Sequence, residues 1–542
     1  MEFYSRTSKD IKPVKKPVFW SEKCKDFDKK QNLVLGRAPY IDIGNEDDIT
    51  AGQVNTPIEK GTLTDGVYPT VINYDENYWF KFMRSVSRDI IFDLEKTSTL
   101  SGCSIVMLYD KSGAVYFPLN LTVSLSDDGK TFEKVHSCRQ LNPKKEAEIR
   151  RVNIDFKENI QARFIKISFG IECWVFFGEI EVFGTKKILE NSRPLRNCVL
   201  PKKKKVHNFN RYLMPEDFMG IHDLLLAYNC HPTHRTQGKL SVEEFMPYVG
   251  YYGRDGKLKD YFFDAYLFLP FAAFPIRGEH PQADLWHTYI DNTFAKGWNT
   301  DALDFAFGQT KKMLGDEDSD RKAKVFLSIL YPFEKYGKFG DLCSDGDILD
   351  FTNLNDRKKA VKWEIDENVR RFSERNYAYS ELSGFYWFEE WIYADMKEER
   401  DLIKFACDYV HSLGLKVIWI PYYCSEGYNR WQELGIDYAS MQPNYSFRDQ
   451  APAEIIDSCA NVCKRENMCV EMEIGGRNDM YIDKYNEYMK RGAKLGYMEA
   501  VHMYYQGGGP GEFYEAYKSD DEKINNVYHD TYLFSKHKYK AD

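Results

Sequence analysis

The sequence has no apolar run of the ~18 residues that a helix needs to cross a bilayer. Residues 1–20 lack the apolar centre of a signal peptide, so the chain is expected to be cytoplasmic, or secreted if a leader preceded it. It also lacks an excess of positive charge. With 74 basic against 83 acidic residues the net charge is −9, which argues against a nucleic-acid surface. The one basic run, Lys202 to Lys205, has the form of a nuclear import signal but reads better as a solvated linker. The 12 cysteines include no CxxC pair and no zinc spacing. Cys459 and Cys463 lie four apart on an expected helix and Cys407 sits in another, as reduced, packed thiols do. No phosphate-binding glycine loop precedes a helix; residues 507–511 (GGGPG) end a strand and read as a flexible rim loop. His222, His231 and His234 cluster without an acidic partner at ligand spacing. What the chain does have is apolar and aromatic substance, 43% and 15%, enough for well-packed cores. Its 542 residues call for two or three domains.

In residues 1–185, short β-branched and aromatic runs follow one another with no helical pattern between them. They include 88–94 (RDIIFDL), 119–125 (LNLTVSL), 164–168 (FIKIS) and 179–183 (EIEVF). Asp127-Asp128-Gly129-Lys130 reads as a hairpin turn, and the whole as a β-sandwich. The ordered signals are 32–36 (NLVLG), 63–66 (LTDG), Trp79, 91–94 (IFDL), 123–129 (VSLSDDG), Phe132, 163–167 (RFIKI) and 178–184 (GEIEVFG). In that order they resemble the discoidin, or coagulation-factor C-type, family. The resemblance implies a jelly-roll sandwich and a structural Ca2+ held by Asp65 and Glu179 with backbone carbonyls. It also implies sugar binding through loop aromatics, here Tyr68, Tyr74, Tyr78 and Trp174.

Residues 186–215 lose the strand pattern and carry basic residues and prolines, which marks a linker. From 216 to 542, eight apolar runs alternate with helical patterns: 223–229, 261–270, 324–332, 382–390, 416–423, 438–445, 469–474 and 497–506. Between them, Leu402, Ile403, Ala406, Val410 and Leu413 keep helical spacing ahead of Gly414. Strands alternating with helices over this length fit a (β/α)8 barrel. The expected architecture is therefore multidomain: an all-β, discoidin-like sandwich followed by a (β/α)8 TIM barrel.

Chemistry centres on residues 470–474 (VEMEI). Alternation puts Val470, Met472 and Ile474 on one face and Glu471 and Glu473 on the other, inside a barrel and near its C-terminal rim. The fourth strand ends in 387–391 (WFEEW). A carboxylate ending strand 4 opposite one ending strand 7 resembles the large clan of retaining glycoside hydrolases. There, one acid protonates the leaving oxygen while a second carboxylate, about 5 Å away, attacks the anomeric carbon. The resemblance implies Glu473 as nucleophile and Glu390 as acid/base, with Glu389 the alternative, since Glu389 stands where the clan has an asparagine. Glu471 is expected to tune Glu473 by like-charge repulsion. The same parity argument turns Asp264 and Tyr266 inward on strand 2, groups Gln442 and Asn444 on strand 6, and pairs His502 with Tyr504 on strand 8. With Trp387 and Tyr422 as stacking aromatics, these residues would bind the sugar.

From about residue 216 onward the chain resembles a family of bacterial barrel proteins known only as a domain of unknown function, often attached to discoidin-like modules. The likeness rests on Tyr248-Val249, 262–268 (FFDAYLF), 384–387 (GFYW) and 470–473 (VEME). It implies a carbohydrate-active role without naming the sugar. The expected function is retaining hydrolysis of an oligo- or polysaccharide, with no cofactor for catalysis; the alternative is a non-catalytic carbohydrate-binding or adhesive protein.

Overall fold

The structure, a computed structural model, describes residues 31–42, 63–72, 78–111, 115–118, 120–138, 141–200, 209–229, 238–270, 283–392, 397–447 and 453–541, less positions 423, 424, 426, 430 and 509. The chain divides into two compact units, residues 2–206 and 207–542. The division falls inside the basic stretch 186–215.

In the first unit two long strand runs, Phe80–Asp110 and Ala147–Thr185, form the body of one antiparallel sheet. Each run turns sharply at one residue in the left-handed region, Glu95 (φ 71°) or Lys157 (φ 65°). An aspartate two residues earlier caps each turn: Asp93 accepts the Glu95 N–H at 2.7 Å and Asp155 the Lys157 N–H at 2.8 Å. Leu121–Ser126 lies against the second run with Leu121, Val123 and Leu125 opposite Phe169, Ile167 and Ile165, all buried. Glu133–Cys138 completes that side. The expected hairpin turn is present: Asp128 accepts the N–H groups of Lys130 and Thr131, each at 2.8 Å. Beyond Thr185, Ser192–Arg193 pairs with Asn159–Ile160, and Arg193 meets Glu133 at 2.8 Å.

In the second unit eight parallel strands close into a barrel: β1 (Asp223–Asn229), β2 (Ala265–Pro270), β3 (Ala323–Ile329), β4 (Ser380–Trp387), β5 (Lys416–Trp419), β6 (Tyr438–Met441), β7 (Cys469–Glu473) and β8 (His502–Tyr505). They follow in chain order, and β8 pairs with β1 to close the ring. Helices cover the outside: α1 (Val242–Val249), α2 (Ala283–Thr293), α3 (Thr300–Leu314), α4 (Leu354–Arg375), α5 (Lys397–Ser412), α6 (Glu454–Glu466), α7 (Asp479–Leu495), α8 (Glu512–Tyr517) and α9 (Glu522–Ser535).

All eight expected strands are present, and all but the first stop short of their apolar runs at one end or both. Residues 258–261 pair instead with Gly250–Tyr252 in a small hairpin, and Tyr497–Glu499 forms a 3-10 turn ahead of β8. The connection after β3 is long and carries a second hairpin, Lys338–Gly340 with Leu349–Asp350. α7 begins at Asn478, whose side chain accepts the Tyr481 N–H at 3.1 Å, and ends at left-handed Gly496. Its buried face, Ile482, Tyr485, Tyr488 and Met489, keeps helical spacing and carries Tyr488 to the end of β7.

The loop 507–511 is pinned at its far end. Gly511 has φ 93°, and a Cβ there would lie 2.2 Å from the Gln506 side-chain oxygen. That oxygen accepts the Tyr248 hydroxyl at 2.9 Å and the Phe513 N–H at 3.2 Å, so only glycine fits.

Candidate active site

On β7, Val470 and Met472 stand in register with His502 and Tyr504, and Glu471 and Glu473 with Met503 and Tyr505. The glutamates are on the lumen side. Glu471, Glu473, Glu390 and Tyr505 act on one another, and Tyr228 of β1 feels Glu390, Glu471 and Tyr505. Because β1, β4 and β7 are not neighbours in the ring, side chains from all three can meet only inside it.

Glu473 is 1% exposed. One carboxylate oxygen accepts the Asn444 N–H at 3.0 Å and the other accepts the Tyr488 hydroxyl; the amides of Tyr445 and Ser446 also donate to it. Asn444 has φ 55°, a left-handed conformation that asparagine tolerates, at the start of these consecutive amides. Burial drives the Glu473 carboxyl up and the four donors pull it back, to about 7. Glu471, 3% exposed, is held well above the carboxylate range by burial and then by the charges of Glu473 and Glu390. Three carboxyls thus share one interior patch.

The two glutamates after β4 diverge. Glu390 faces this patch. Glu389 lies on the other side of the chain, where its charge bears on Tyr331, which bonds to Glu399 of α5 and accepts from Arg357 of α4 at 2.9 Å. Backbone ties hold both in place: the Glu389 carbonyl accepts the Trp419 indole N–H at 2.9 Å, and the Glu390 carbonyl the Tyr422 N–H at 3.3 Å.

Aromatic rings line the approach. Trp391 and Tyr422 stack at 6.2 Å, and Asn444 donates to the Tyr422 hydroxyl at 3.2 Å. Tyr505 packs edge-on against Tyr228 at 5.6 Å and against Phe447 at 5.1 Å; Phe447 is 39% exposed. Gln442 is half-buried beside them and donates to the Ile420 carbonyl at 3.1 Å.

Five residues expected in the pocket lie elsewhere. Trp387 is 1% exposed and packs edge-on against Tyr331 at 5.7 Å on the helix side of β4. Tyr266 faces α1, against the Phe245 ring at 6.1 Å, with its hydroxyl on the Tyr248 carbonyl at 3.2 Å. Asp264 precedes β2 at the opposite end of the barrel, where it accepts the His222 N–H at 3.1 Å and pairs with Arg321 at 2.7 Å. His502 packs on Phe534 of α9 at 5.0 Å and Tyr504 on Phe513 of α8 at 6.0 Å, both outside the lumen. Alternation states which residues share a face but not which face is inside. On β2 and β8 the aromatic hydroxyls find acceptors among the helices or at the barrel floor, and the other face turns inward. The same inversion hid Tyr228 and Tyr505, while Tyr488, on a helix, left no strand signal at all.

Of the two carboxylates expected to hold a cation in the sandwich, Asp65 is exposed and accepts the Val67 N–H at 2.8 Å. Glu179 is fully buried; one carboxylate oxygen accepts the Gly66 N–H at 3.0 Å and the other has no partner among the described residues. Burial, and then the neighbouring carboxylates of Asp65 and Glu181, push its carboxyl up to about 8. An unpartnered carboxylate oxygen beside a second carboxylate suits a hard cation. Of the loop aromatics, Tyr68 is half-buried under Arg151, Tyr78 is exposed, and Tyr74 lies outside the described residues.

Comparison with known proteins gives two family matches. Residues 223–533 match the family described as "Domain of unknown function (DUF4855)", and residues 54–174 match the F5/8 type C domain. No curated protein matches the chain. Among solved structures, the chain is similar to CpGH89CBM32-6 produced by Clostridium perfringens (19% identity, 28% of this chain and 99% of that one, TM-score 0.21). It is also similar to a Streptococcus pneumoniae fucose binding module (19% identity, 29% and 97%, TM-score 0.21). A third is a Ruminococcus gnavus GH29 fucosidase (18% identity, TM-score 0.17); the match covers 24% of this chain and 22% of the fucosidase.

Proposed function

The chain belongs to the DUF4855 family, and on that premise we propose that it is a retaining glycoside hydrolase acting on an oligo- or polysaccharide. The observation that carries this reading is the meeting of Glu390, Glu471 and Glu473 in the lumen beneath a mouth lined by Tyr228, Trp391, Tyr422, Phe447 and Tyr505. Glu390, half-buried at the rim, protonates the departing glycosidic oxygen. Glu473, in the anionic form that its four donors favour against burial, attacks the anomeric carbon and forms a glycosyl ester. Glu390, now a carboxylate, takes a proton from water, and the hydroxide cleaves the ester with net retention. Glu471, held neutral, donates a hydrogen bond within the patch. The rim aromatics stack on the sugar's C–H faces. No metal enters these steps.

One observation favours a second reading, a non-catalytic carbohydrate-binding or adhesive protein. Both oxygens of Glu473 are occupied, so this carboxylate also braces the segment after β6. Activated aryl glycosides decide between the two. Turnover lost in Glu473→Ala and partly restored by azide with inverted stereochemistry supports hydrolysis. Glycan binding without turnover supports the second reading. If Glu471→Gln is dead and Glu473→Gln active, the nucleophile is Glu471.

For the sandwich, the proposal is a carbohydrate-binding module in which Asp65 and Glu179 share a structural Ca2+ through the unpartnered oxygen of Glu179.

A further inference from the structure

At the end of the barrel away from the mouth, polar side chains gather where the ring closes. Asp223 opens β1 and His502 opens β8, and the two are register partners across the closing seam. His222 precedes Asp223. Asp223 and His502 are buried, and the His222 side chain is 19% exposed.

With all three rings neutral, the hydrogen bonds around this cluster set its tautomers. His502 Nε2 lies 2.8 Å from the Tyr497 carbonyl oxygen, which only accepts. Nε2 therefore carries the hydrogen, and in a neutral ring Nδ1 is a bare lone pair. That Nδ1 lies 3.3 Å from Asp223 Oδ1. On the other side His537 Nδ1 meets the Glu499 carboxylate, which again only accepts, so His537 holds its hydrogen on Nδ1. Its Nε2 then accepts from His222 Nε2, 2.5 Å away. This leaves His222 Nδ1 as a second bare lone pair, 3.0 Å from Asp223 Oδ2. Two imidazole lone pairs converge on one carboxylate, an arrangement of acceptors that repel unless positive charge lies between them.

We propose that this is a binding site for a divalent transition-metal ion of the zinc class, with His222 Nδ1, the Asp223 carboxylate and His502 Nδ1 as ligands. The three ligand atoms lie within 4.8 Å of one another. Zn–N bonds of about 2.0–2.1 Å in a tetrahedron separate neighbouring ligand atoms by roughly 3.3 Å; here each imidazole nitrogen lies beside a different oxygen of Asp223, His222 Nδ1 3.0 Å from Oδ2 and His502 Nδ1 3.3 Å from Oδ1. The surroundings are those a metal-bound imidazole requires. Each histidine gives its other N–H to a fixed acceptor, the Tyr497 carbonyl or the His537–Glu499 pair, and the Tyr504 hydroxyl donates to Asp223 Oδ1 at 2.8 Å. With the ion in place every contact is satisfied by neutral rings. Ligands on β1 and β8 make the ion a clasp on the closed ring, remote from the carboxylate patch. The site is structural, and it stands whether or not the protein hydrolyses glycosides.

The test uses the full chain, purified without chelator and analysed for metal, then stripped and titrated with Zn2+ or Co2+ in excess Ca2+, which keeps the sandwich site saturated. About one equivalent of metal, a Tm that falls on stripping and is restored by Zn2+, and visible d–d bands with Co2+ are the expected results. His502→Ala and His222→Ala should each abolish the Zn2+-dependent rise in Tm. If His502→Ala fails to fold, His222→Ala decides, because its ring reaches solvent. Wild-type Zn2+ response in His222→Ala overturns the proposal. So does a wild-type chain that holds no metal and is indifferent to Zn2+ and Co2+, in which case protons fill the two gaps.

Discussion

Tyr488, in the middle of α7, gives its hydroxyl hydrogen to the Glu473 carboxylate at the end of β7. A helix side chain thereby sets the charge of a strand residue inside the barrel. Glu473 is raised from its ordinary value to about 7, so it binds a proton more readily folded than unfolded. Its contribution to stability is full below the ordinary carboxylate range and is lost as pH rises through about 7. Tyr488→Phe removes a donor to the anion and should raise Glu473 further. The acidic limb of the kcat/KM–pH profile is expected to move upward, with a stability loss of about 1.5–3 kcal/mol in urea melts at pH 8. An unmoved limb would separate Glu473 from the chemistry.

The divergence of Glu389 and Glu390 predicts opposite phenotypes. Glu390→Gln should slow turnover of substrates with poor leaving groups by roughly 100-fold or more while sparing activated aryl glycosides. Glu389→Gln should keep the activity of the folded protein and lower its melting temperature, because its charge lies at the Tyr331–Arg357–Glu399 corner. Steady-state kinetics on two leaving groups, with a melting curve for each variant, checks both.

Calcium and protons should compete at Glu179. Its carboxyl is raised to about 8, so without cation its stability term is full below about 4.5 and is lost as pH rises through 8. A bound cation requires the ionised form. Ca2+ titration at pH 7 should therefore release protons into the buffer, and the apparent affinity should rise between pH 6 and pH 8. Glu179→Gln should remove the Ca2+-dependent rise in Tm and make the metal-free protein less sensitive to alkaline pH. Calorimetry in buffers of different ionisation enthalpy measures the released proton.

Limited trypsin digestion should cut first at Lys202–Lys205, beside the division at 206/207. Arg193 is no trypsin site, since Pro194 follows it. Two fragments stable to further digestion are expected on a gel; loss of the sandwich fragment at the earliest times would count against independent folding.

The order of architecture was legible because it depends on periodicity alone. Strand-only runs before residue 185 and eight strand–helix alternations after 216 specify a sandwich and a barrel whatever the side chains touch. β7 was legible because its two faces differ in kind, apolar against carboxylate, so burying one forces the other into the lumen. β4 and β8 carry aromatics on both faces, and β2 sets Ala265, Leu267 and Leu269 against Tyr266 and Phe268, both faces apolar, so their parity was known and its sign was not; Trp387, Tyr266, His502 and Tyr504 were misplaced for that reason. Asp264 was misplaced along the strand axis, because an apolar run does not show where hydrogen bonding starts. Trp391 and Phe447 come from loops, where no periodicity applies.

The closing pair β8–β1 has a consequence for biosynthesis. Asp223 and His502 are 279 residues apart in the chain, so the ring cannot be completed until β8 has left the ribosome. Until then β1 and β7 present bare amides and carbonyls along their open edges, the kind of surface on which one nascent copy pairs with another. A message truncated anywhere between β7 and β8 would yield an open sheet with two adhesive edges rather than a slightly smaller barrel. Such products are expected to be removed as aggregates or by proteolysis, which makes β8 as demanding of accurate translation as the first strand.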